Sequence, residues 1–198
     1  MGKFERLPLE KRKEEICQAA LGLFCEKGFQ ATTMENIVDK VSLSKGGVYR
    51  IYPSTEAILR DLVLSGMRLR NRWYQQQAAE RAARGEKLTL EFLAGVIGDS
   101  LMLYPEISRV YVEFLWEKQR NPQLQQLYEQ ICRESTEETE TLIRSCGASE
   151  LLLQNPSLLP KLTELMNAAI LSIHVLNLLD RFELSREKLT KAIAGLLE

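Results

Sequence analysis

Apolar residues recur every three or four positions along most of this chain, the period of a helix with one buried face. Near the start, Ile16, Ala20, Leu23 and Phe24 predict a first helix over residues 9–27. Lys27 supplies a cationic last turn, and Gly28 stands where a helix commonly ends on a glycine. Ile37, Val38 and Val41 give a short second helix its apolar side. Thr32 and Glu35 have capping-box spacing, each side chain accepting from the other's backbone N–H. After the turn Val41-Ser42-Leu43-Ser44, Ser44 is a natural N-cap for a third helix over 45–52. Pro53 breaks the chain, and Ser54 caps a long fourth helix with Glu56 well placed in its first turn. Ile58, Leu59, Leu62, Val63, Met67 and Leu69 carry it to residue 77 or beyond.

The same period predicts helices over 88–103, 107–120 and 122–146, the last opening at Asn121-Pro122. After a loop around Asn155-Pro156, residues 159–180 form the most continuously apolar segment, capped by Ser157 or Asn155. A final helix over 185–197 starts at Ser185, with Lys188 in the place an acidic partner would take. With six prolines and eleven glycines in 198 residues, the expected class is all-α. The break at Pro53-Ser54 predicts two units: a three-helix unit over 1–53 and a helical bundle over 54–198.

Composition narrows the function classes. No apolar run approaches the ~20 residues of a membrane span, and Lys3, Glu5 and Arg6 lead into a charged helix rather than a signal peptide. No membrane partner and a cytoplasmic location are expected. Cys17, Cys25, Cys132 and Cys146 show no close pairing, which suits reduced, mostly buried thiols. The net charge of −1 conceals an asymmetry. Residues 1–55 hold nine Lys/Arg against seven Asp/Glu, and the remainder holds 17 against 20. The sign suits a nucleic-acid-facing N-terminal end on a neutral-to-acidic body.

The third helix carries Gly46 and Gly47, each costing about 1 kcal/mol relative to alanine in a helix interior. A surface that must approach another backbone closely supplies a reason. Lys45 and Tyr49 are i,i+4 partners on one face, with Gly46 and Arg50 beside them, while Val48 and Ile51 or Tyr52 point to the core. In a helix-turn-helix the second helix lies in the major groove and the first crosses the backbone. Arg50 or Lys45 suits guanine O6/N7, and Tyr49 and Thr33 suit phosphate oxygens.

The third helix, led by Ser-Lys-Gly-Gly and ending in Tyr-Arg-Ile-Tyr-Pro, resembles that of the DNA-binding domain of the tetracycline-repressor (TetR) family. Thr32, Thr33, Ile37, Ser44, Gly46, Tyr49, Glu56 and Leu59 match its pattern at the right spacing. Ser42 replaces a turn glycine, Val38 an alanine, Tyr52 a phenylalanine and Thr55 a lysine. The likeness covers residues 10–60 closely. It implies DNA contacts at Thr33, Lys45 and Tyr49, and the candidate DNA-binding set is Thr33, Ser44, Lys45, Gly46, Gly47, Tyr49, Arg50 and Thr55. A hydroxyl at Thr55 offers only a neutral contact where the family has a cation. Lys11, Arg12 and Lys13 are candidates to replace that charge along the DNA backbone.

The resemblance further implies a dimeric repressor on a palindromic double-stranded operator, released by a small-molecule effector of unknown identity. Leu162, Leu165, Ala169, Ile173 and Leu176 make one candidate homodimer stripe, and Leu189, Ile193 and Leu196 a second, through the last two helices. The same stripes also suit the closing of the subunit's own core. Candidate effector contacts are Met67, Met102, Tyr111, Glu113, Phe114 and His174, with Trp73, Tyr104, Trp116 and Cys132 behind them. Glu113 equally fits a solvated face with Arg109 and Glu117, and His174 a satisfied core imidazole. No cofactor or metal is expected. HExxH, P-loop, Rossmann and GxSxG patterns are missing from the sequence, and one histidine limits acid–base chemistry, which argues against an enzyme. A helical adaptor without DNA binding is the alternative; it leaves the glycines and Arg50 on one short exposed helix unexplained.

Overall fold

The computed structural model describes residues 8–176 and 186–197. Ten helices run through these residues: α1 Leu9–Lys27, α2 Met34–Val38, α3 Lys45–Ile51, α4 Thr55–Ala83, α5 Leu90–Leu103, α6 Pro105–Glu117, α7 Pro122–Ser145, α8 Ser149–Gln154, α9 Leu158–Leu176 and α10 Arg186–Leu197. The class is all-α. Ser185 and residues 177–180 of the expected ninth helix lie outside the described residues.

Local chemistry sets the boundaries. Gly28 takes φ +84°, which favours glycine, and its N–H returns to the Phe24 carbonyl at 3.0 Å to close α1. Phe29 then folds back edge-on to Phe24, ring centroids 5.2 Å apart. The capping box of α2 sits one residue later than the expected Thr32–Glu35 pair. Thr33 Oγ1 accepts from the Asn36 N–H at 3.2 Å, and Asn36 Oδ1 accepts from the Thr33 N–H at 3.0 Å. Thr32 is buried instead, its hydroxyl donating to the Gly28 carbonyl at 2.8 Å. A side-chain amide oxygen accepts from the N-cap N–H as a glutamate would, so the spacing alone could not separate the registers.

Ser54, Thr89 and Asn121 cap α4, α5 and α7. Proline stands at the first position of α6 and α7, where its missing N–H costs nothing. The short α8 forms where residue spacing suggests a loop. Asn155 closes it, donating its side-chain amide to the Leu151 carbonyl at 3.1 Å, rather than capping α9.

Two apolar clusters hold the bundle together. The first joins α1–α3 to the front of α4, α6 and α7 through Ile16, Phe24, Ile37, Val48, Leu59, Phe114 and Leu127. The second joins α5, α9, α10 and the far ends of α4 and α7 through Ala78, Ala94, Ile143, Leu158, Ile170 and Ile193. The α1–α3 unit thus shares its core with the body. Gly66 lets α4 close on α6, since a β-carbon there would collide with Ile107.

Candidate nucleic-acid interface

Helix α3 is held at its entry by Ser44, whose Oγ accepts from the Gly47 N–H at 3.2 Å. Val48 is fully buried and Tyr52 nearly so, which fixes the rotation of the helix. Lys45, Gly46, Tyr49 and Arg50 then lie along its exposed side, with Ile51 half-buried. The two glycines part company. Gly46 faces open space, whereas a β-carbon on Gly47 would sit tightly against Ser44 Oγ at 3.2 Å. Only Gly46 leaves the exposed surface bare; Gly47 is explained by the turn beneath it.

Thr33 stands exposed at the head of α2, beside this stripe in the helix-turn-helix, and Thr55 is half-buried at the first position of α4. Lys45 is not a free cation. Its Nζ lies 2.8 Å from Glu35 Oε1 on α2, with both side chains well exposed. The hydrogen bond to Lys45 holds the Glu35 carboxyl below its usual range, and the same bond raises the Lys45 ammonium. The turn is tied to α1, because the Ser42 N–H donates to Glu15 Oε1 at 2.5 Å.

Behind α3, the Tyr52 hydroxyl donates to Asp61 Oδ2 on α4 at 2.8 Å and sits 3.3 Å from Cys17 Sγ on α1. Burial raises both the Tyr52 phenol and the Cys17 thiol, so each stays neutral near pH 7. A phenylalanine at position 52 could not make these bonds. They connect α3 to α4 by a polar link within an apolar core. All four cysteines are free and half-buried, less buried than expected.

In the body, α4, α6 and α9 line a small cavity of about 40 Å³. Val63, Met67, Arg70, Tyr104, Ile107, Ser108, Tyr111, Met166 and Ile170 wall it, with Gly66. Met67, Tyr111 and Tyr104 are therefore brought together there. Phe114 is not: it is fully buried in the first core cluster. Glu113 does not line it either, but lies half-buried toward the end of α1, 3.8 Å from where Gly28 would carry a β-carbon. Arg109 donates to the Cys25 carbonyl at 3.3 Å. His174 is half-buried on α9 away from the cavity wall, with its imidazole held low by burial and by the Arg109 charge. Trp116 is 55% exposed and stands outside any enclosed site. Trp73 and Cys132 are half-buried and also off the wall. The Met102 side chain lies outside the described residues.

Residues 16–62, spanning the capped helix pair and its anchoring helices, match the family model described as bacterial regulatory proteins, tetR family. This N-terminal unit is therefore of the TetR type. A regulator of Bacillus subtilis strain 168, described as the uncharacterized HTH-type transcriptional regulator YfiR, is 41% identical over 58 residues, 29% of this chain and 28% of that one. The alignments reach only 18–40% of the length of the curated relatives they match. Among solved structures, Salmonella enterica GusR superposes with a TM-score of 0.63 over 98% of both chains at 20% identity. A putative transcriptional regulator from Saccharomonospora viridis, solved in complex with choline, gives 0.63 over 95% of this chain and 96% of that one at 16% identity. At such identities the likeness establishes a shared fold across the whole length.

Three residues of note are not evident from the sequence as members of a site. Within the TetR-type unit, Glu35 and Asn36 organise the exposed face, and only the true register of the cap reveals them. Arg70 stands at i, i+4, i+7 spacing from Val63 and Met67, a lone cation on an apolar stripe, which is the available signal.

Proposed function

We propose that this protein is a ligand-responsive transcriptional regulator: a cytoplasmic homodimer that binds a palindromic operator and is released by a small-molecule effector. The observation that carries the reading is the exposed Lys45-Gly46-Tyr49-Arg50 stripe on a rigidly capped second helix of a TetR-type unit. Thr33, Ser44, Gly47 and Thr55 complete the proposed DNA surface. Residues 1–53 are assigned to DNA reading, and 54–198 to effector binding and dimerisation. No helix among the described residues is long and apolar enough to cross a membrane.

The dimer surface needs redrawing from the expected stripes. Leu162, Ile173, Leu189 and Ile193 are buried within the subunit, and Leu165 and Ala169 pack partly against the same core. Beside the charged Glu164, Glu187, Lys188 and Lys191, α9 and α10 leave a set of small or apolar residues exposed: Ala168 and Val175 on one, Ala192, Gly195 and Leu196 on the other. Small residues let two helices approach closely, and this set supports an isologous contact there.

Effector release follows from the position of α4. It lines the body cavity at Val63, Gly66, Met67 and Arg70, and it meets the reading unit through the Tyr52–Asp61 hydrogen bond. A ligand that prefers a tilted α4 would move the two reading helices apart and weaken DNA binding; one with equal affinity for both states would shift nothing. The choline held by the Saccharomonospora viridis relative supports a small-molecule effector in this fold. Footprinting the purified protein on fragments of its genome tests the reading. The expected result is protection of two symmetric half-sites spaced about 10–10.5 base pairs, or a multiple, centre to centre. Protection without symmetry would contradict the dimer, and protection independent of sequence would contradict operator recognition.

A further inference from the structure

Arg70 projects from α4 into the wall of the α4–α6–α9 cavity, and its Nε is buried without a hydrogen-bond partner. Among the described residues it forms no ion pair. The residue as a whole is only half-buried, but an unpaired buried donor on a charged group is costly and normally meets a carboxylate or a carbonyl. Of the polar wall residues Tyr104, Ser108 and Tyr111, the last is committed elsewhere. The Tyr111 hydroxyl donates to Asn167 Oδ1 at 3.0 Å, and the Asn167 amide donates to the Tyr128 hydroxyl at 3.0 Å. Burial pushes the Tyr128 phenol up to about 12, and Tyr111 is raised by burial as well. Both rings therefore remain neutral and leave the Arg70 charge unanswered. The other walls are Val63, Met67, Ile107, Met166 and Ile170, with Tyr104 and Ser108 adding hydroxyl-bearing residues.

We infer that the effector is a small monocarboxylate with a short apolar tail, its carboxylate paired with Arg70 and its tail against the surrounding aliphatic walls. This rests on the proposed effector role of the body and names the chemistry of that site. One cation among apolar and hydroxyl-bearing walls balances one negative charge; a phosphate dianion would bring a second charge with no second cation on the wall to meet it. A quaternary ammonium would place like charge beside the guanidinium. The volume agrees, since about 40 Å³ holds roughly three water-sized groups, the size of a carboxylate. A longer tail requires α4 or α6 to yield, and Gly66 against Ile107 is the tight point where it would be felt.

Calorimetric titration of the full chain with butyrate and hexanoate tests this, beside butyramide and choline. The expected result is saturable binding of the two carboxylates and none of the neutral or cationic probes. Arg70→Gln is expected to weaken carboxylate binding about tenfold or more, the usual scale for losing a charge-assisted bidentate pair. Without ligand, the same variant should melt no lower than the parent, because it removes an unpartnered donor. Equal binding of butyramide or choline, unchanged binding by Arg70→Gln, or no binding of either carboxylate would overturn the inference. The DNA readout is separate. If butyrate binds through Arg70 yet leaves DNA affinity unchanged, the carboxylate site stands and effector-controlled release fails.

Discussion

Replacing Lys45 and Tyr49 together by alanine is expected to lower operator affinity by about 100-fold or more, the scale of two lost DNA contacts in each subunit. Both side chains are exposed on α3, so the fold should survive: circular dichroism and melting temperature should stay near the parent. The geometry also predicts how the two losses differ. A phosphate contact at Lys45 would flatten the salt dependence by about one unit of slope, while a base contact would relax sequence preference at one position. Glu35 sharpens the test. Its carboxylate holds the Lys45 ammonium at 2.8 Å in the unbound protein, and binding DNA must exchange that partner for a phosphate or a base. Glu35→Gln should therefore raise affinity for unrelated duplexes and narrow the margin between operator and random DNA. Unchanged operator binding by the double variant, measured by fluorescence anisotropy, would remove α3 from the interface.

Phe114→Ala should be the most destabilising single change among the residues expected to touch effector. The ring is fully buried in the cluster that joins α1 and α4 to α6 and α7, with centroids 5.7 Å from Tyr111 and 6.4 Å from Tyr128. Truncating a phenylalanine in such a position costs about 3–5 kcal/mol, through lost burial and the cavity left behind. Because the same cluster includes Ile16, Ile37 and Val48, the loss should be felt in the DNA-reading unit as well as in the body. Denaturant unfolding followed by helicity should show an earlier midpoint. A cost below about 1 kcal/mol would mean that the site collapses or was never closely packed.

Much of this architecture is readable from residue spacing. Ser44, Ser54 and Asn121 cap the helices that their positions predict, because a side-chain oxygen beside a breaking proline or glycine leaves few alternatives. The buried rotation of α3 follows from Val48 and Tyr52. Failures come where two neighbouring residues could do the same chemistry. Thr32 and Thr33 are both capping residues, and only the tertiary contact that buries Thr32 against the Gly28 carbonyl decides between them. Gly46 and Gly47 look alike in sequence but face opposite surroundings, one open and one close against Ser44. The body is harder. Periodicity identifies an apolar stripe without saying whether a cavity or another side chain lies opposite, so Phe114 and Met67 read alike. Arg70 is hidden because arginines crowd that segment of α4, with Arg68 and Arg72 on either side. The helical dimer stripes are overdrawn for the same reason, since a subunit core and a subunit interface share one apolar pattern.

The central claim is that the α3 surface binds duplex DNA by sequence, and equilibrium binding across a salt series tests it most directly. With several phosphates contacted in each half-site, log K should fall linearly with log salt at a slope of about −0.9 per contact, with operator DNA held more tightly than random DNA throughout. Binding that ignores salt, or that fails to separate the two duplexes at any salt concentration, would contradict it.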